Sequence, residues 1–239
     1  MKLLLIFLMS INILQAFELL RKYDASVGLY GKIGHGEVRE KHEKNRYTIN
    51  FTAKPTSFIA DLSGIICIEY KSIGKINKKG VFMPDRFITV ITEPDRKKKT
   101  VYIYDHLKKS IVKKTHIEKK VEDATIDSLL FDAAKKPKTK DIEKITTIQY
   151  VPNDYLTLIK NARFLKKGNV QYLDQNRTDS LNILGISGEN YKVKIKTKEK
   201  QYFLELQNDL YGLKKAKTLK SLEFGDADLK AIQMNIEFE

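Results

Sequence analysis

The residues that could catalyse a reaction are few in this sequence, and their spacing matches no catalytic motif. The histidines form no His-Glu-x-x-His run and no pair four residues apart, the spacing that places two zinc ligands on one helix face. They are His35, His42, His106 and His116. A Gly-x-Ser-x-Gly nucleophile elbow is also absent from the sequence. We therefore expect no enzymatic activity, cofactor or metal; an enzyme whose site is assembled only by the fold is an alternative.

A glycine-rich run and a single cysteine are the other residues that chemistry could use. Residues 31–36 (GKIGHG) lack the glycine spacing of a dinucleotide-binding loop, and a strand with bulges fits them better. Cys67 lies in the apolar run 65–68, whereas reactive thiols occupy basic, accessible settings. We expect Cys67 to be a small buried side chain. One cysteine also excludes an intramolecular disulfide and any multi-cysteine metal site.

A modification site is predicted at Asn176. Residues 174–178 read Asp-Gln-Asn-Arg-Thr, an Asn-x-Thr acceptor with an acidic residue two places before the asparagine. This extended pattern is similar to the acceptor of a bacterial periplasmic glycosyltransferase. Residues 50–52 are also Asn-x-Thr, but they lack the acidic residue and lie in a predicted strand. The alternative interpretation of residues 174–178 is a polar turn.

The first sixteen residues are organised like a secretory signal peptide. Lys2 gives a positive start, residues 3–14 are apolar except for a serine and an asparagine, and the small Ala16 precedes the expected cleavage point. The apolar run is too short to span a membrane, although a retained anchor helix is the alternative. We expect cleavage after Ala16, export to a periplasm, and a mature chain, residues 17–239, that is a single β-rich domain without a membrane span.

The chain is strongly basic. It carries 44 basic and 30 acidic residues, a net charge of +14, and 37 of the basic residues are lysine. Residues 75–120 alone contain 14 basic and 5 acidic residues. Such a face attracts anionic polymers, but base recognition favours arginine and clustered aromatic residues, so no nucleic-acid partner is expected. The lysines either solubilise solvent faces and edge strands or contact an anionic envelope surface.

Most of the chain alternates apolar and polar residues, as half-buried antiparallel strands do. In residues 46–52, for example, Tyr47, Ile49 and Phe51 share one face. Further strands, several joined as hairpins, are predicted at residues 86–93, 100–104, 110–112, 191–197, 202–206 and 234–238. We predict a mainly β fold: a large antiparallel sheet, curled or closed into a barrel-like form, with one or two packed helices.

Two segments have the period of an amphipathic helix. One stripe consists of Tyr155, Leu158, Ile159 and Ala162. Asn153 is placed to cap this helix, Asp154 suits its positive start, and residues 166–168 suit its end. The other stripe consists of Ile126, Leu129, Leu130 and Ala133. The stripes pack on the sheet or, alternatively, dock a partner helix; the lysine-rich residues 135–144 are predicted to be a loop, with a hinge near 135–152.

Several landmarks, taken in order, resemble an uncharacterised family of exported bacterial proteins, domain-of-unknown-function family 3108. The landmarks are Tyr23, Gly28, Gly31, Tyr47, residues 72–74 (SIG), 80–84 (GVFMP), Tyr104 with Asp105, 153–158 (NDYLTL) and 222–226 (LEFGD). The resemblance covers nearly all of residues 17–239. It implies a β-rich envelope protein, and it supplies no catalytic residues.

These patterns favour a non-enzymatic periplasmic protein that acts by binding, as an accessory or scaffold component of an envelope machine such as a flagellar motor or a transport complex. Its partners would be envelope proteins or an anionic envelope polymer. A curled sheet capped by helices can also enclose an apolar cavity. The first alternative is therefore a carrier of a lipid or lipoprotein, and the second is the enzyme described above. The sequence assigns no oligomeric state.

Overall fold

The computed structural model describes residues 16–121, 138–175, 177–196, 201–209, 211–218 and 227–238. Within these ranges the chain forms fourteen β-strands, two short α-helices, α1 (Ser57–Ser63) and α2 (Tyr155–Lys160), and two single-turn 3-10 helices at Gly28–Tyr30 and Ala162–Phe164. The strands are β1 (Phe17–Val27), β2 (Gly31–Glu43), β3 (Arg46–Pro55), β4 (Cys67–Ile76), β5 (Phe82–Thr92), β6 (Arg96–Asp105), β7 (Ser110–Val121), β8 (Lys138–Gln149), β9 (Gly168–Leu173), β10 (Thr178–Ser187), β11 (Asn190–Lys196), β12 (Gln201–Asp209), β13 (Gly212–Thr218) and β14 (Ala227–Phe238).

All the described strands belong to one antiparallel sheet. Their order is β8-β7-β6-β5-β4-β3-β2-β1-β14-β13-β12-β11-β10-β9. Strands consecutive in the chain are neighbours except β8 and β9, which are the two edges, and β1 also pairs with β14, so that Phe17 lies opposite Phe238. The predicted mainly β fold with a curled antiparallel sheet is confirmed, and the sheet is open rather than closed. None of the described helices is long and apolar enough to cross a membrane.

The core lies on one face of the sheet, against which α2 packs; we call it the inner face. Residues paired across antiparallel strands share a face, so the register assigns inner positions on every strand. The predicted face of β3 is confirmed: Tyr47 and Ile49 are buried there, and Phe51 packs beside them. Segment 151–158 covers this face, with Leu156 buried against β3–β7 and Leu158 against β9–β11. One short helix therefore contributes to both core clusters.

The sheet has two halves joined at a short seam. The first half is β14 with β1–β8, and the second half is β9–β13. Between them, β13 and β14 share only three residue pairs among the described residues, from Lys215 opposite Lys230 to Lys217 opposite Asp228. Side chains add further ties: Arg21 on β1 binds Asp209 on β12 at 2.9 Å, and Tyr23 donates a hydrogen bond to the Leu213 carbonyl at 2.6 Å.

The helix predicted from Tyr155 onward is confirmed, but its ends differ from the prediction. Asp154, not Asn153, is the N-cap, and its carboxylate accepts a hydrogen bond from the Thr157 amide. Asn153 instead accepts one from the Asn161 side chain, whose amide also exchanges two hydrogen bonds with the Phe82 backbone. Because these contacts fix Asn161 against β5, α2 stops at Lys160, and the chain reaches β9 at Gly168.

Three other sequence expectations have different outcomes. The loop predicted at 135–144 is wrong for residues 138–144, which form β8 and pair with β7 in unbroken register; a lysine-rich composition suits an edge strand as well as a loop. Cys67 is partly buried rather than buried, at the start of β4. The helix expected at 126–133 lies outside the described residues.

Candidate ligand-binding site

An apolar cavity of about 340 Å³ lies on the inner face, at the end of the sheet next to α1. We call it the α1 cavity. Its walls are mostly aliphatic and aromatic side chains from five strands and from α1. The main ones are Ile33, Phe51, Ile59, Ile65, Ile68 and Leu229. A pocket of this size and composition falls in the range of small-molecule sites, near the lower end.

Small residues at inner positions create the α1 cavity. Ala25, Gly34, Gly36 and Ala53 face inward at this end of β1–β3. Further along, the same strands bury large side chains such as Leu19, Tyr23 and Tyr47, so the space is left where large side chains are missing. A β-carbon on Gly34 would lie 2.8 Å from the Lys54 carbonyl oxygen, so the close approach of β2 and β3 requires glycine there.

Helix α1 forms one side of the cavity and exposes apolar residues to solvent. It ends at Gly64, whose backbone is left-handed and whose amide donates a hydrogen bond to the Ala60 carbonyl at 2.8 Å. Ile59 lines the cavity, whereas Phe58 is 59% and Leu62 67% exposed. No residue of α1 is buried. Local opening costs least where few apolar contacts are buried, so α1 is a suitable entrance for a ligand.

The α1 cavity can hold an apolar chain by the hydrophobic effect. Burying each methylene group stabilises a complex by about 0.8 kcal/mol. Acidic side chains are absent from its described lining, and its one histidine, His35, stands on β2 at an outer-facing register position.

A second cavity, of about 430 Å³, lies at the seam between the two halves. On one side it is lined by Glu40 and His42 of β2, on the other by Asp209 of β12, and Lys160 of α2 lies between them. Lys160 binds Glu40 at 2.7 Å and donates to the Tyr211 carbonyl at 2.9 Å. His42 hydrogen-bonds the other oxygen of Glu40. We call these three side chains the Glu40 cluster: Glu40, His42 and Lys160.

The Glu40 cluster is built to hold the two halves together. Burial opposes ionisation of Glu40, which is 1% exposed, but the charge of Lys160 and the His42 hydrogen bond outweigh it and lower the pKa of the carboxyl. Each of the two carboxylate oxygens makes one hydrogen bond within the cluster. The described lining contains no serine, threonine or cysteine. The part of the chain that the structure describes also has no His, Cys, Asp or Glu group able to hold a metal ion.

Of the two predicted site residues, Ala16 and Asn176, the described part of the chain contains only Ala16. Ala16 is partly buried and immediately precedes β1, which starts at Phe17. Asn176 lies outside the described residues. Its neighbour Gln175 docks on the inner face, where its carbonyl accepts hydrogen bonds from Thr89 and Tyr102, whereas Arg177 on the other side is exposed. Cleavage after Ala16 and glycosylation of Asn176 stay predictions.

Sequence reasoning missed the α1 cavity. The available signal was the run of small residues at alternate positions, Gly34 and Gly36, facing Ala53 on the next strand. We interpreted residues 31–36 only as a strand with bulges, which β2 is: its register with β1 shifts at Ala25/Ser26. Helix α1 gave no signal because seven residues are too few to display a helical period. Burial raises the pKa of the Cys67 thiol, which disfavours the nucleophilic thiolate.

Comparison with known proteins adds no relative: no protein-family model matches the chain, and no curated protein matches it. The resemblance to domain-of-unknown-function family 3108 therefore stays a prediction based on the sequence landmarks.

Proposed function

We propose that this chain is an exported, non-enzymatic binding protein that carries an apolar chain, such as the acyl chain of a lipid, in the α1 cavity. The observation that carries the proposal is the cavity itself: small inward residues leave about 340 Å³ of apolar space beside a helix with no buried residue. An envelope scaffold acting only through its surface would gain nothing from such a space. This favours the carrier over the scaffold interpretation of the sequence.

The exposed residues around α1 support the same proposal. Tyr30 and Phe58 have ring centroids 6.1 Å apart, and Leu62 and Ile66 lie exposed in the same region of the chain. An exposed apolar patch on a soluble domain commonly marks a contact site. Here the patch adjoins the cavity through Ile59 and Ile65. An apolar chain could therefore move from a lipid surface into the cavity along apolar side chains.

The test is titration calorimetry of the purified protein with octyl, decyl and dodecyl maltoside below their micelle concentrations. These probes have a common uncharged head, so affinity should rise by roughly fourfold per added methylene while the chain stays inside the cavity. Ala53→Leu fills the cavity from β3. Displacing about two methylenes should weaken dodecyl maltoside binding by more than ~10-fold.

Thr52→Leu is the matched control, because it adds a leucine to the same strand on the opposite face. We expect its affinity to equal that of the unmodified protein. Equal weakening by both variants would show that the site is elsewhere, and absence of binding to all three maltosides would reject the carrier function.

A further inference from the structure

Strand β8 is an edge of the sheet, and within the described part of the chain its backbone pairs with β7 alone. The two strands stay in register from Ser110 opposite Gln149 to Val121 opposite Lys138, without a bulge. The free side of an edge strand presents backbone amide and carbonyl groups that can pair with another strand. Apolar side chains of β8 are also exposed, Ile145 by 64% and Ile142 by 41%. Strand β8 is therefore long and regular enough to accept a further strand.

The C-terminal part of β8, residues 145–149, lacks the usual protection of an edge strand. Natural edges are protected by charged residues, above all lysine, and by prolines and bulges. The charged residues of β8 all lie between 138 and 144, whereas residues 145–149 (ITTIQ) contain no charge, proline or glycine. The isoleucines and threonines of this stretch are β-branched, a type that favours strands. Residues 145–149 are therefore suited to pairing with another strand.

A second copy of β8 fits this edge best in one register. Residues directly opposite each other in an antiparallel sheet share a face, so a two-fold axis between two copies of β8 must pass beside one residue, which meets its own copy. An axis at any of residues 140–144 sets like charges directly opposite each other, as when Glu143 meets Glu143. With the axis at Ile145, residues 141–149 pair with the same residues of the second copy, and no like charges are directly opposite. An axis at Thr146 also avoids like charges, but it pairs fewer residues.

The register centred on Ile145 also brings the isoleucines of β8 together. Ile145 lies opposite Ile145 of the second copy on the outer face, and Ile142 lies opposite Ile148 on the inner face, twice by symmetry. Side-chain pairs directly opposite each other are the unit of stabilisation between antiparallel strands. The charged residues meet neutral ones. Asp141 lies opposite Gln149, Glu143 opposite Thr147, and Lys144 opposite Thr146.

We propose that two copies of this chain associate through their β8 edges, in the antiparallel register centred on Ile145, and form one continuous sheet. Backbone hydrogen bonds between the two strands supply affinity, and the isoleucine pairs fix the register. One pair of strands is a small interface, so the dimer should dissociate on dilution. The inference goes beyond the proposed function, because it involves neither the α1 cavity nor a ligand.

Cysteine cross-linking tests the register, with Cys67→Ser in every variant. Ile145→Cys places the new thiol opposite its own copy, at a Cα separation of about 4.5–5.5 Å that a disulfide spans, so mild oxidation should give a linked dimer. Thr147→Cys is the matched control on the same strand and face. Its thiol would be four residues along the strands from its copy, roughly 14 Å away, and should not cross-link. Glu143→Cys combined with Thr147→Cys should restore the link.

Sedimentation equilibrium tests the charge pattern in the unoxidised protein. Thr147→Lys sets a lysine opposite Glu143 at two symmetric places and should tighten the dimer by roughly fivefold, whereas Thr147→Glu sets like charges there and should weaken it by at least ~fivefold. The same two substitutions at Thr52, on the outer face of β3, are the controls for net charge and should leave the association constant unchanged.

Three results would overturn the proposal. The first is a protein that stays monomeric at every concentration tested. The second is a cross-link through Thr147→Cys alone, which would place the contact in another register or on another surface. The third is an equal effect of the Thr147 and Thr52 substitutions, which would attribute the association to net charge.

Discussion

Asp154 connects the start of α2 to β4, a strand of the sheet on which α2 packs. It is fully buried at the start of α2, and its carboxylate accepts hydrogen bonds from Ser72 of β4 at 2.6 Å and from the Thr157 amide at 2.8 Å. Burial raises the pKa of Asp154 to about 6, even though these donors favour the charged form. The folded protein therefore keeps a proton on this group at a pH where the unfolded chain has lost it.

This shift predicts a pH dependence with a definite sign. Between pH 3.8, the ordinary value, and about 6, the folded state binds more protons than the unfolded state, so the contribution of Asp154 to stability falls as pH rises. Asp154→Asn keeps the shape and removes the titration. Between pH 4 and pH 7, the free energy of unfolding of the unmodified protein should fall by about 2 kcal/mol relative to that of the variant. Urea unfolding measures both. A difference that is constant over this range would contradict the shift.

Sequence reasoning identified Asp154 as a residue at a helix start, but not as a buried one. The reason is that its partner Ser72 is 82 positions away, and no local pattern carries that contact. The same limit applies to the α1 cavity: alternation assigns Ala53 to the inner face, but only the fold reveals that its neighbours across β2 and β1 are small as well.

At the scale of elements, α2 is the part that joins the two halves. Its apolar stripe was predictable from a period of 3.6 residues, and its packing on the sheet is confirmed by the burial of Leu156 and Leu158. Lys160, at the C-terminal end of α2, does not belong to this stripe. Its ammonium group reaches Glu40 in the first half and the Tyr211 carbonyl beside the second half.

Removing Lys160 should therefore destabilise the protein. Lys160→Met keeps the aliphatic stem but leaves a buried carboxylate with one partner fewer, and loss of one member of a buried ion pair costs about 3 kcal/mol. The double variant Glu40→Gln, Lys160→Met removes the stranded charge and should recover part of that loss. Both variants, together with Glu40→Gln alone, are measured by denaturant unfolding. If the double variant is as unstable as the sum of the two single variants, the pair is not coupled.

Individual strands were easier to predict than the way in which they pair with one another. Alternation identified β3 and β11 because one face of each is buried, and it identified β14 because Met234, Ile236 and Phe238 alternate with polar residues. Residues 138–144 of β8 were mistaken for a loop because polar and charged residues occupy both faces of this edge strand. The basic segment 75–120 was recognised, but the distribution of its charges over the two faces of the sheet depends on the register of β6 with β7. Charge counting cannot supply that register.

At the scale of the whole molecule, the two halves differ in the number of buried apolar residues that the structure describes in each. The first half contains most of a cluster of eleven buried apolar residues, and the second half contains most of a cluster of seven, among the described residues. In the part of the chain that the structure describes, the seam between them is the three-pair ladder of β13 and β14, reinforced by Arg21, Tyr23 and the Glu40 cluster. A smaller core and a short seam predict that the second half opens while the first half stays folded.

Native-state hydrogen exchange tests this order of opening with two variants. Amides of β11 and β12 should exchange through an opening of lower free energy than amides of β4 and β5. Phe87→Leu, in the core of the first half, should cost about 1 kcal/mol and lower the protection of β4 and β5 only, because the first half remains folded when the second opens. Arg21→Met breaks the seam, and it should lower protection in both halves because every opened state has lost that tie. If Phe87→Leu lowers the protection of β11 and β12 as much as that of β4 and β5, the sheet unfolds as a single cooperative unit. The free energy needed to admit a ligand beside α1 would then depend on the stability of the entire molecule.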